Sequence, residues 1–240
     1  RIRRVADTTG ARGAHRVIWD LRHEAPAGAD GQPSRRLDGR FVLPRMYEAR
    51  LTVGGSVRTH TFQVRMDPAL SVSRENREAL DATLALQARL AGAAALMDAA
   101  VDSVLTQAGL MLETLYAAQD VRPGLLERTH DLEGEARRLR VILRGPGQEG
   151  VAQQETSLPL LSLVNRLYRT TEAWTGPPTE DQLRLTRKAH GDLMELMGDL
   201  RPLLSREIPE LRQIMENAGM PWPAGEVPVL PDDLLPPFNP

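Results

Sequence analysis

The chain contains no cysteine, which excludes disulfides, thiolate zinc sites and a cysteine nucleophile while leaving the compartment open. Aromatic residues are scarce, at 4% of 240 positions. Leu and Ala carry the hydrophobicity instead, and that favours helix over sheet. Lysine is nearly absent: Lys188 stands alone and arginine supplies the other side-chain positive charge. Coding bias explains this more simply than a phosphate-recognition surface. Net charge is only −2, so global electrostatics point to neither nucleic acid nor an anionic membrane as a partner. No uninterrupted run of about 18 apolar residues occurs, so no transmembrane segment is expected. The first residues, Arg1-Ile2-Arg3-Arg4-Val5, include neither an initiator Met nor the apolar core of a signal peptide. The expectation is a piece of a longer protein, with any export signal upstream.

What the chain does have is helical periodicity. Over 73–119 the apolar residues Leu90, Ala94, Met97, Val101, Val104, Ala108, Met111 and Leu115 recur at intervals of four and three, keeping one stripe on one side of a helix. Ser73 is placed to cap it, and Gly92 and Gly109 are possible bend points. The small residues at 91–95 suit close helix–helix approach. A second helix is expected over 123–144, opened by Pro123, with Leu125, Thr129, Leu132, Ala136, Leu139 and Leu143 as its stripe. The glycine-rich segment 145–150 lacks the Gly-Lys-Ser/Thr ending of a phosphate loop and reads as a linker. A third helix is expected over 157–174, carrying Leu160, Val164, Leu167 and Thr171. Thr179 and Gln182 form a capping box for a fourth. Its stripe runs from Leu183 through Thr186, His190, Leu193, Met197, Leu200, Leu204 and Ile208 to Leu211, and Pro202 and Pro209 predict a kink and a restart within it. Short connections favour antiparallel neighbours, hence the order up, down, up, down. From 220 onward seven prolines in 21 residues predict an extended tail, whose apolar residues suggest docking on a surface.

The first 67 residues differ in character. Strand-like alternation occurs at 15–21, 46–53 and 57–66, with Trp19, Tyr47, Leu51, Val53, Phe62 and Val64 on the inward beat. Gly54-Gly55 reads as a hairpin turn, and 25–39, rich in Gly and Pro, as a surface loop. Three strands with one apolar face cannot stand alone, so further strands from upstream are expected to cover Trp19, Leu51 and Phe62. The fold class that follows is α+β. A small, incomplete antiparallel immunoglobulin-like β module (1–67) precedes an elongated antiparallel four-helix bundle (73–219) and a Pro-rich extended tail (220–240).

No catalytic, cofactor-binding or metal-binding residue is nominated. His15, His23, His60, His130 and His190 include no pair three or four apart and no His-Glu-x-x-His. Nothing in the spacing picks out two of the 32 acids as a glycosidase pair, and no serine sits in a Gly-x-Ser-x-Gly elbow. No dinucleotide fingerprint follows a strand. Glu133 and Arg137 are expected to pair across one helical turn.

Two sets of segments carry a resemblance. His15-Arg16-Val17-Ile18-Trp19-Asp20-Leu21-Arg22, Val42-Leu43-Pro44 and Tyr47-Glu48-Ala49-Arg50-Leu51-Thr52-Val53 resemble immunoglobulin-like modules such as that of the flagellar hook-capping protein, with Arg45-Met46 where a glycine is usual. The second set is Val64-Arg65-Met66-Asp67-Pro68, Leu163-Val164-Asn165-Arg166-Leu167-Tyr168, Pro177-Pro178-Thr179-Glu180-Asp181-Gln182 and Ile208-Pro209-Glu210-Leu211. In this order they resemble the C-terminal region of bacterial exported sortilin-type β-propeller proteins bearing BNR repeats and described as glycosyl hydrolases. In that family the repeats, with any catalytic residues, lie upstream, so none carries over. The resemblance implies a non-catalytic protein-interaction or scaffold module of an exported protein, with protein partners that include the propeller of its own chain, and no cofactor. The alternatives are an accessory region of a carbohydrate-active hydrolase, or a subunit of a cell-envelope assembly.

Overall fold

The computed structural model describes residues 2–5, 13–28, 30, 32–70, 72–118, 123–146, 158–174, 176–221, 227–235 and 237–238. It is α+β: a two-stranded antiparallel hairpin, β1 (Met46–Val53) and β2 (Ser56–Gln63), and four packed helices. These are α1 (Arg74–Ala117), α2 (Pro123–Arg144), α3 (Leu160–Glu172) and α4 (Glu180–Pro202). A π-turn (Leu203–Glu207) extends α4 into α5 (Ile208–Asn217).

Helix α1 starts where Ser73 caps it, the Ser73 Oγ accepting from the Asn76 amide at 3.1 Å. It runs 44 residues through Gly92 and Gly109, about 66 Å at ~1.5 Å per residue. Its eight stripe residues, Leu90 to Leu115, are each no more than 1% exposed. By length and composition α1 could cross a membrane, its best 18-residue window having a mean hydropathy of 1.3. Since 56% of that window is buried among the other helices, the helix already has its apolar surroundings. The α2 stripe is buried as expected, and Gly145 at φ 83 closes the helix, its amide donating to Val141 O at 2.8 Å. The Thr179–Gln182 capping box is formed in both directions. Pro202 does not end the rod. Instead the Ile208 amide reaches back to Leu203 O across a wider π-turn, which leaves Pro209 in the first turn of α5, where no amide is needed.

The expected order up, down, up, down fails at α3. Tyr116 near the end of α1 meets His130 near the start of α2, while Arg144 at the end of α2 binds Asp98 and Asp102 in the middle of α1. Thus α2 descends along only the second half of α1. Pro159, just before α3, lies beside Gly145, and at the other end Glu172 bonds Arg22, which holds Gly39 next to the Arg40–Asp81 pair. Helix α3 therefore continues in the direction of α2 along the first half of α1. The lengths explain why: α2 has 22 residues and α3 has 13, so neither covers 44 alone. The final rod returns beside α1 in the same direction, Gln87 Nε2 donating to Thr186 Oγ1 at 2.9 Å low in the bundle and Gly219 lying near Ala117 at the top.

Ion pairs fix this alignment from outside. Arg128 bridges Glu207 and Glu210, Arg138 bridges Glu135 and Asp199, and Arg144 bridges Asp98 and Asp102. The hydrogen bond from Arg138 holds the Glu135 carboxyl below the usual range, and that from Arg128 does the same for Glu207. At such exposure each pair stabilises by at most about 1 kcal/mol, so they select register more than they add stability. Glu133–Arg137 pairs at 2.7 Å as expected.

Two further expectations change in the β region. Residues 15–21 form no strand, the nearest backbone pairing being an isolated bridge between Arg22 and Phe41. At Leu21 the backbone turns through φ 60, which breaks the extended run. The described residues therefore make a hairpin rather than a sandwich, and β2 ends at Gln63 rather than at 66. The expected surface loop 25–39 is docked. Leu37 enters the core at 6% exposure, Tyr168 Oη donates to Asp38 O at 2.7 Å, and Arg169 donates to Arg36 O at 2.8 Å. Burial pushes the Tyr168 phenol up to about 12, with the Glu172 carboxylate adding to the shift. In the tail, Leu235 is buried while Val227, Leu230 and Leu234 rest on the core, and Phe238 packs edge-on to His190 at 5.8 Å. Trp222 and Ser157 lie outside the described residues.

Candidate interaction surface

The hairpin owes its shape to its turn. Gly54 and Gly55 have φ 55 and 84, the pair of positive values that a two-residue turn needs to match strand twist and that L side chains resist. The register runs from Met46↔Gln63 to Val53↔Ser56, so one face carries Tyr47 with Phe62, Ala49 with His60, Leu51 with Arg58 and Val53 with Ser56. Only the base of that face is covered. Trp19 packs against Tyr47 (centroids 5.6 Å apart) and Phe62 (6.0 Å), and its Nε1 donates to Arg22 O at 2.8 Å. Tyr47 Oη donates to Leu43 O at 2.6 Å and receives Arg45 Nε at 3.0 Å, which ties β1 to the segment that leads into it. Asp20 accepts from the Arg22 amide, capping the turn after Trp19, and pairs with Arg3.

Beyond this aromatic base the face is bare. Leu51 is 60% and Val53 65% exposed, and Val57 on the opposite face is 55% exposed. Ile18, just before Trp19, is 77% exposed. Among the described residues neither outer edge of the hairpin has a further strand paired to it, so a row of amides and carbonyls remains open on each side. A two-stranded hairpin gains little stability alone, and its exposed apolar tip gains none from the other described residues. The bundle differs sharply, because its long rows of Leu, Ala and Met face one another and are sealed.

The histidines are dispersed. His23 sits in the docked segment, where burial and the nearby Arg40 charge lower its pKa, and His60 lies on the hairpin opposite Ala49. His130 bonds Tyr116 at 2.7 Å, and His190 faces Phe238. Among the described residues no group of three or more His, Cys, Asp or Glu side chains is arranged to hold a metal ion. A hollow beside the docked loop, lined in part by Pro26, Arg40, Gly92 and Tyr168, opens to solvent. Sequence reasoning placed Leu51 and Val53 on one face and expected cover for it from strands upstream of this chain; among the described residues both are exposed. It missed the attachment of the loop, which works largely through backbone carbonyls that every residue possesses. No protein-family model, curated protein or solved structure matches this chain.

Proposed function

We propose that this chain is a non-catalytic protein-interaction module, the C-terminal part of a larger exported β-propeller protein of the sortilin-type, BNR-repeat kind. Its partners are proteins, the propeller of its own chain first among them. The observation that carries the reading is an uneven finish among the described residues: a bundle with a sealed core holds out a hairpin whose apolar tip and both edges are open. Added strands of an immunoglobulin-like module would cover Leu51 and Val53 and continue the hydrogen-bond ladder. The family identity and export rest on the resemblance of the segments quoted above.

Photocrosslinking in the full-length protein tests this. With benzoylphenylalanine in place of Leu51, adducts to the preceding part of the same chain or to a partner protein are expected. The same probe in place of Leu110, a half-exposed helix residue, is the control. Adduct yield at Leu51 no greater than at Leu110 would contradict the proposal.

A further inference from the structure

A second surface on this molecule has a chemistry of its own. Where the docked loop meets α3, Arg169 donates to the backbone oxygen of Arg36, which brings four exposed arginines to one place. Arg35 and Arg36 belong to the loop. Arg166 and Arg169 lie three apart on α3, where Cβ atoms are separated by roughly 5–6 Å. Among the described residues none of the four has a carboxylate within salt-bridge distance. Arg22 and Arg40 close by are neutralised by Glu172 and Asp81, and Arg128, Arg138 and Arg144 each hold two carboxylates. The remaining acid here, Asp38, is exposed and uses only its backbone oxygen, which accepts from Tyr168. A chain with net charge −2 therefore leaves a compact patch of uncompensated guanidinium on a rigid seat, since Tyr168 and Leu37 beneath it are buried.

From this we infer that the Arg35/Arg36/Arg166/Arg169 patch is a docking point for a short acidic protein segment, two or three Asp or Glu residues close together. Guanidinium forks match carboxylates in pairs, which a compact four-arginine patch can exploit. A long polyanion would instead require a stripe of positive charge, and this patch is bounded by the neutralised Arg22–Glu172 pair. The inference extends the interaction-module reading to a surface other than the hairpin. The two tests use different residues, so either can fail alone.

The test is fluorescence anisotropy of a labelled hexaglutamate peptide with the 240-residue chain, beside a heparin fragment as the polymer probe. The doubly reversed Arg35→Glu/Arg166→Glu variant should bind the peptide about 10-fold or more weakly, and binding should fall as salt is raised. Reversal on the hairpin, Arg50→Glu/Arg58→Glu, should change it about 2-fold or less. Arg169 is left intact because it anchors the loop. The inference is overturned if the peptide does not bind, if the hairpin reversal costs as much as the patch reversal, or if heparin binds in clear preference to the peptide.

Discussion

Val104→Asp should unfold the bundle. Val104 has no exposed surface and sits in the α1 row between Val101 and Ala108, both equally buried. A carboxylate there has no cation to meet and must either stay charged in an apolar surrounding or take up a proton. Either way the cost is several kcal/mol, against roughly 5–15 kcal/mol for the stability of a whole domain. The effect spreads because α1 is the rod on which α2, α3 and α4 all rest. Far-UV circular dichroism should register a large fall in Tm or no cooperative transition. Leu110→Asp, a similar change at a position 38% exposed on the same helix, should leave most of the transition in place. An unchanged Tm for Val104→Asp would remove α1 from the centre of the core.

Gly39→Ala should loosen the segment that links the hairpin to the bundle. A Cβ at position 39 would overlap the carbonyl of His23, with Glu24 O only 2.9 Å away, and backbone cannot yield as the end of a long side chain can. The neighbouring His23 amide bonds Arg40 O at 2.9 Å, so relieving the overlap separates a paired stretch of backbone. Leu37, Asp38 and the Arg40–Asp81 pair lie on the same stretch and would shift with it. Overpacking of this kind costs roughly 1–3 kcal/mol, which for a chain of this size lowers Tm by about 3–10 °C. Proteolysis within 25–39 should accelerate alongside. Gly109→Ala is the control, because a Cβ there meets nothing within 4 Å and the helix gains up to about 1 kcal/mol.

Part of this architecture is legible in the amino-acid sequence and part is not. The helices were legible because a row such as Leu125, Thr129, Leu132, Ala136, Leu139 and Leu143 reports its buried face directly, and caps such as Ser73 and Thr179 mark where helices start. A stripe says which side is buried but not which way the helix runs, so the shared direction of α2 and α3 was out of reach. Gly54-Gly55 announced the hairpin through its backbone requirement. The close approach at Gly39 left no such mark, because it depends on His23, sixteen positions earlier, coming alongside. Leu37 was hidden for a related reason: one leucine in a Gly- and Pro-rich stretch has no period to report. At 15–21 the alternation was present, yet alternation makes a strand only where a neighbouring strand supplies hydrogen bonds, and the described chain offers Trp19 side-chain packing instead. As for the surface, the sequence identified the apolar beat of β1 and its need of cover from outside this chain, but not that Trp19 would cover the base of the face by side-chain packing.

Native-state hydrogen exchange on the 240-residue chain tests most directly whether a finished bundle carries an unfinished hairpin. Amides at 17–21 and 49–60 should exchange early, while those at 90–115 in α1 persist to the limit set by global unfolding. Equal protection in the two regions would mean that the β region is complete within this chain, and the interaction surface drawn on it would be wrong.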